Sequence, residues 1–287
     1  MSKEPHTTIP PLTTLKRTES QPILPQIGAF PLEETPIHQV VTSLDATHEL
    51  LPYVPTLLSG LKCLGFPPDG IVETFIQLGF AHTPGLQMLD LGCGKGALLN
   101  RLAWTFGWHG VGVDFMPSFI QEAGAQAERM GLTKRVQFHQ ADIAQFVKTS
   151  SPANLVIFGF DHHALGTFSQ AIMLLSKLLQ PKGYLLIDFC WADQAIPEDD
   201  LVVSEVEISP AITAANLIVK HQHTYSPAWV KRCNAWNTAA ISNQAQKLAK
   251  AYPAKSDLFQ SYLQGQNQAC MPVSNAPTNG FLLLQKP

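Results

Sequence analysis

Met88-Leu89-Asp90-Leu91-Gly92-Cys93-Gly94-Lys95-Gly96-Ala97 decides how the rest of this 287-residue chain is read. The apolar run over residues 86–91, ending on a glycine-rich turn, reads as a buried strand. Residues 95–106 behind it set Leu98, Leu99, Leu102, Ala103 and Phe106 at helical spacing. Strand, glycine turn and helix together open an α/β sheet. The turn is weakly specific by itself. Gly92-Cys93-Gly94-Lys95-Gly96-Ala97 also satisfies the looser G-x-G-x-x-A dinucleotide fingerprint, and glycines that merely shape a tight turn give the same string.

Downstream, the alternation continues. Residues 110–114 read as a second strand. Pro117 then opens a helix carrying Phe119, Ile120, Ala123, Ala127 and Met130, which stops at Gly131. Residues 136–138, 154–160 and 184–189 read as strands three to five, with a helix over 167–179 ending before Pro181. Such alternation predicts a mostly parallel, doubly wound sheet with helices on both faces and right-handed crossovers. After Trp191 the rhythm changes: a sixth strand over 217–225, amphipathic helices over 229–251 and 257–268, and a last apolar strand at 281–284.

Upstream, residues 1–36 carry Pro5, Pro10, Pro11, Pro22, Pro25, Pro31 and Pro36 among polar residues and are expected to be a disordered tail. Residues 37–82 show Leu50, Leu51, Val54, Leu57, Leu58 and Leu61, then Ile71, Phe75, Ile76 and Phe80, at spacings of three and four. They are read as a cover of short helices. Residues 83–287 form the main domain, with a helical insertion at about 226–270.

Chemistry enters with three acids. Asp90 ends the first strand, Asp114 ends the second and Asp142 follows the third. Ligands of open α/β sheets bind outside the carboxyl ends of the strands. In the order third, second, first, fourth, these acids line one crevice and can accept hydrogen bonds from a donor-rich, cationic nucleoside. The strings Met88 to Gly96, Val111-Gly112-Val113-Asp114 and Gln140-Ala141-Asp142-Ile143 resemble the successive cofactor motifs of class I S-adenosylmethionine (SAM)-dependent methyltransferases. Leu179-Gln180-Pro181-Lys182-Gly183-Tyr184-Leu185-Leu186 is similar to that family's L-x-P-G-G-x-L entry to the fifth strand, with Lys182 where glycine is common.

The resemblance implies SAM as cofactor. Asp90 and Gly92, with Cys93, Gly94 and Gly96, would hold the methionine end. Asp114 and the adjoining Phe115 would take the ribose, Asp142 and Ile143 the adenine, and Phe158 on the fourth strand would complete the set. It also implies a seven-stranded sheet of order 3-2-1-4-5-7-6 with the last strand antiparallel. For Asp114 and Asp142 the alternative is a helix N-cap. NAD is the competing cofactor, since Asp114 lies roughly 20 residues beyond the glycines, where a ribose-binding acid belongs.

On the acceptor side, the resemblance places the residues after the fourth strand near the transferred methyl, and these are Phe160-Asp161-His162-His163-Ala164-Leu165-Gly166. His163 or His162 is a candidate general base, and Asp161 either orients it or caps the next helix. Phe160, Trp191, Tyr225 and Trp229 are candidate pocket walls, or equally ordinary core. Neither Asp161-His162-His163 nor His221-Gln222-His223 completes a metal site. A net charge of −3 with short, scattered basic pairs argues against a nucleic-acid coat. The first residues lack a basic stretch followed by an apolar run, and nowhere are there about 18 uninterrupted apolar residues. Five dispersed cysteines suit a reducing, cytoplasmic setting. His163-Ala164-Leu165-Gly166, Asp188-Phe189-Cys190-Trp191 and Ser226-Pro227-Ala228-Trp229 resemble a largely uncharacterised branch of the same family, and that resemblance implies methylation of a small molecule. Its alternatives are a protein or nucleic-acid acceptor, or a non-catalytic SAM-binding regulator.

Overall fold

A computed structural model describes residues 41–65, 67–193, 202–269 and 277–287, so the expectation for residues 1–36 falls outside the described residues. Eight strands alternate with helices: β1 Gln87–Leu91, β2 His109–Asp114, β3 Val136–Gln140, β4 Ala153–Gly159, β5 Leu179–Ala192, β6 Val202–Ser204, β7 Ile218–Thr224 and β8 Thr278–Gln285. They run in the order β3-β2-β1-β4-β5-β8-β7. Every neighbour from β3 to β5 is parallel, and β8 is antiparallel to both β5 and β7. This is the sheet expected from the sequence, with β7 and β8 in the places of its sixth and seventh strands. A short extra strand, β6, lies parallel to the end of β5.

Side-chain alternation along the strands sorts the core into two layers. Leu89, Val111, Val113, Val156, Phe158, Ile187, Phe189 and Trp191 face α7 Phe168–Lys177 and α8 Glu205–Ala214. Met88, Leu155, Ile157, Leu186, Phe281 and Leu283 face α2 Pro68–Gln77 and α3 Ala97–Phe106 on the other side. The capping box of Thr167 and Gln170 fixes the start of α7.

A third apolar layer joins segments far apart in sequence. Leu50, Val54, Leu57, Leu58 and Leu61, around the one-turn α1 Val54–Leu57, pack with Ile241, Ala245 and Leu248 of α9 Pro227–Ala251. Phe259 and Tyr262 of α10 Ser256–Ala269 complete it, together with Met116 and Phe119 at the start of α4 Pro117–Arg129. Residues 50–61 of the expected N-terminal cover and the expected helical insertion are therefore one layer, seated beside the tip of β2, whereas α2 and Phe80, the rest of that expected cover, pack on the sheet beside α3 instead. Lys182 adopts the left-handed conformation, φ 64°, which explains why glycine suits that turn.

Candidate functional site

The carboxyl ends of β1 and β2 are knitted together by backbone. Gly92 and Cys93 N–H both donate to Val113 O, at 2.8 and 2.9 Å. Asp114 Oδ2 accepts from Gly94 N–H at 2.8 Å and Oδ1 from Met116 N–H at 2.9 Å. Asp114 thus fastens the glycine turn to the tip of β2. It does not cap the following helix, whose N-cap is Met116. Asp142 is the N-cap of the one-turn α5 Ile143–Phe146 and accepts from Ala144 N–H at 2.9 Å, as its alternative reading held.

The glycines of the turn do different things. Gly92 is exposed and left-handed, and a Cβ there would lie 3.5 Å from Ile143 Cδ1. The first motif thus lies against Ile143 of the third, and it is the left-handed backbone, not lack of room, that favours glycine at position 92. Gly96 faces inward instead: its Cβ would come within 2.8 Å of Ala123 and of Phe138. Gly94 lies beneath Leu64 of the cover.

Asp90 is 5% exposed, and burial, then the charge of Asp114, pushes its carboxyl up to about 7. Burial likewise raises Asp114, against the amide donors that hold its charge. Between them the Cys93 thiol is raised well above its usual value, by burial first and then by the two acids. Two desolvated acids side by side make a place for a cation.

Lys95, from the same turn, is 2% exposed and spends all three donors. Its Nζ bonds Leu58 O at 2.8 Å and Leu61 O at 3.1 Å, and pairs with Glu122 Oε2 at 3.1 Å. The cofactor turn thereby holds the cover by its backbone.

The predicted acceptor residues part company. Asp161 caps the one-turn α6 His162–Leu165, accepting from His163 N–H at 2.8 Å. The two imidazoles meet edge to face at 5.9 Å on that turn. Trp191 is 7% exposed and packs on Phe189 at 5.1 Å, Phe158 is 1% exposed, and Phe160 packs on Phe168 at 5.5 Å, all in the layer facing α7. Tyr225 and Trp229 stack at 4.7 Å on the opposite side of the sheet, the side that Asp90 and Asp114 face. Among the described residues no group of three or more His, Cys, Asp or Glu side chains is placed to hold a metal, and no helix is long and apolar enough to cross a membrane.

Sequence reasoning passed over Asp188 as a site residue. It lies in β5 level with Gly159, the last residue of β4, and with Phe281 of β8. Burial raises its carboxyl to about 7, and Tyr225 and Cys63 lie within electrostatic reach. The available signal was an acid inside an otherwise apolar strand end, Leu185-Leu186-Ile187-Asp188-Phe189.

Comparison with known proteins agrees with this geometry. Residues 82–253 match a family model described as a methyltransferase domain. The uncharacterized protein YjhP of Escherichia coli is 36% identical over 117 residues, 40% of this chain and 47% of that protein; the match thus spans about half the length of that relative. The crystal structure of YjhP superposes with a TM-score of 0.67 at 20% identity, covering 82% of this chain and 100% of that one. A SAM-dependent methyltransferase from Geobacter sulfurreducens, solved with S-adenosyl-L-homocysteine, gives 0.66 at 21% identity, covering 82% and 98%. At such identities the likeness is one of fold.

Proposed function

This chain belongs to the methyltransferase-domain family, and from that premise we propose that it moves a methyl group from SAM to a nucleophile on a small molecule. The observation that carries the cofactor half is Asp90. A carboxyl 5% exposed beside a second acid resists its own ionisation, and an ammonium drawn alongside offsets that resistance. The other residues fit the rest of the cofactor. In this reading Asp114 takes the ribose, Asp142 and Ile143 the adenine, and left-handed Gly92, opposite Ile143, lies where the cofactor passes the turn.

Bound there, SAM supplies an electrophilic methyl on a sulfonium. The protein's part is to hold that methyl and the acceptor in contact, to keep water out and to provide a place for the acceptor's proton. The layer of α1, α9 and α10 stands beside the tips and supports a small acceptor. His163 and His162 approach from the β4 side; His163→Ala should lower turnover and leave SAM affinity nearly intact if that imidazole takes the proton.

The test of the reading is calorimetry on the full chain with SAM, S-adenosylhomocysteine and NAD. SAM and S-adenosylhomocysteine should each bind once per chain, and NAD should not. Tight binding of NAD alone would overturn the assignment.

A further inference from the structure

Asp188 belongs to a polar cluster for which the cofactor has no use. Strand alternation puts Asp90, Asp114 and Asp188 on the same face of the sheet, the face of Leu186 and Phe281. Register puts Asp90 level with Ile157 and Ile157 level with Leu186, so Asp188 lies two strands across and two residues nearer the tips. Strand spacing and rise make that roughly 12 Å from Asp90, which is the far side of the β4 tip from the methionine end of the cofactor.

Three other segments close on this point. Tyr225, just beyond β7, donates its N–H to Asn279 O at 2.9 Å and stacks on Trp229 of α9. Its hydroxyl is buried and finds no hydrogen-bond partner among the described residues. Cys63 comes from the cover and Cys233 from α9. Each is an electrostatic neighbour of Tyr225, and Cys63 is also one of Asp188. Among the described residues the titratable groups within electrostatic reach of Asp188 are the Tyr225 phenol and the Cys63 thiol, both raised by burial first; Cys233, which neighbours those two, has the Arg232 guanidinium beside it on α9. A half-buried carboxyl with an orphaned buried hydroxyl across β8 from it, on the same face of the sheet, is a costly arrangement unless a ligand completes it.

Resting on the methyltransferase reading, we propose that Asp188 and Tyr225 form the acceptor subsite, that the acceptor is a small amine, and that Asp188 takes its proton. The amine enters as an ammonium, pairs with the Asp188 carboxylate and lies against the Tyr225–Trp229 pair, which offers a cation an aromatic face. One proton passes from nitrogen to the Asp188 carboxylate. The freed nitrogen lone pair then forms the bond to the methyl carbon as the carbon–sulfur bond breaks, its electron pair remaining on sulfur. The product leaves as a methylated ammonium, and Asp188 returns its proton to water. A carboxyl raised to about 7 is suited to both halves of that exchange near neutral pH.

The test uses the full chain, its Asp188→Asn and Tyr225→Phe variants, and a probe set of ethylamine, N,N-dimethylethanolamine, histamine, phenol, ethanol and acetate. With S-adenosylhomocysteine already bound, calorimetry should detect at least one of the amines on the wild type. Its affinity should fall at least tenfold in Asp188→Asn, with the melting temperature held. Methyl transfer to that amine should fall about 100-fold or more in Asp188→Asn. The kcat/KM profile of the wild type should rise through about pH 7 and flatten in the variant. Tyr225→Phe should raise KM more than it lowers kcat. Amine binding and transfer unchanged in Asp188→Asn, methylation of phenol or ethanol only, or no amine bound by the complex would each overturn the proposal. Failure of S-adenosylhomocysteine to bind would instead sink the cofactor reading.

Discussion

Asp90, buried, and Asp188, half-buried, are carboxyls raised to about 7 on one face of one sheet, yet their surroundings are of different kinds. Asp90 sits in a region made by neighbours in sequence: a glycine turn, a second strand and the amides that Asp114 collects. Asp188 is met by Tyr225 and by Cys63 from the cover, and these in turn by Cys233 from α9, all far away along the chain. The first region is backbone chemistry that a short motif can encode. The second exists only once the whole chain has packed, and it is where one member of a fold can come to differ from another. Lys95 is the tie between them.

Breaking the first region at its base should have the largest effect. Gly96→Ala puts a Cβ on a left-handed residue, 2.8 Å from Ala123 and Phe138. Urea denaturation should show a loss of about 3 kcal/mol, and a loss below about 1 kcal/mol would mean that the turn is looser than described.

Cutting the tie comes next. Lys95→Met strands the carbonyl of Leu61 and leaves that of Leu58 with only the Leu61 N–H, at a cost of about 2 kcal/mol. Hydrogen exchange should quicken over residues 54–64 while β1 and β2 stay protected. Equal loosening of both would contradict separate regions.

The raised acids give the comparison a pH signature. Their folded values lie above the unfolded ones near 4, so between about pH 4 and 7 the folded apoprotein holds protons that the unfolded chain has released. That contribution to stability is present below pH 4 and is lost as pH rises through about 7. Melting temperature should therefore fall from pH 5 to pH 8 without ligand. With Asp90 as the proposed partner of SAM's ammonium, SAM affinity should weaken by up to about tenfold per unit below pH 7, and calorimetry across pH 5.5 to 8, with melting curves over the same range, measures both slopes. Flat affinity would remove Asp90 from the cation site.

The smallest expected change lies far from either acid. Lys182→Gly relieves a left-handed lysine and should raise stability by about 1 kcal/mol or less, leaving both affinities alone. Thermal denaturation checks it, and a destabilised variant would show that the lysine side chain contributes more than its backbone costs.

The same contrast explains what the sequence disclosed. The strand order and the positions of β7 and β8 followed from alternation and from a family resemblance concentrated in residues 80–191, where each motif is a few residues long. The union of α1 with α9 and α10 did not, because its apolar faces pair across almost the whole chain and periodicity gives no partner. Helix α8 was missed because Pro210 lies inside it and most of its face is exposed. Trp191 and Tyr225 looked interchangeable as aromatics at strand ends; only the pleat assigns them to opposite sides. Asp188 was hidden for the same reason, since its meaning lies in neighbours that no local window contains.

The account stands on Asp90 receiving the positive end of the cofactor. Titrating SAM into the wild type and into Asp90→Asn at pH 7.5, with the melting temperature of each recorded, tests this directly. The prediction is a loss of affinity of about 100-fold, matching removal of a buried charge partner worth about 3 kcal/mol, in a protein that still melts cooperatively. Equal affinity in the two proteins would contradict it.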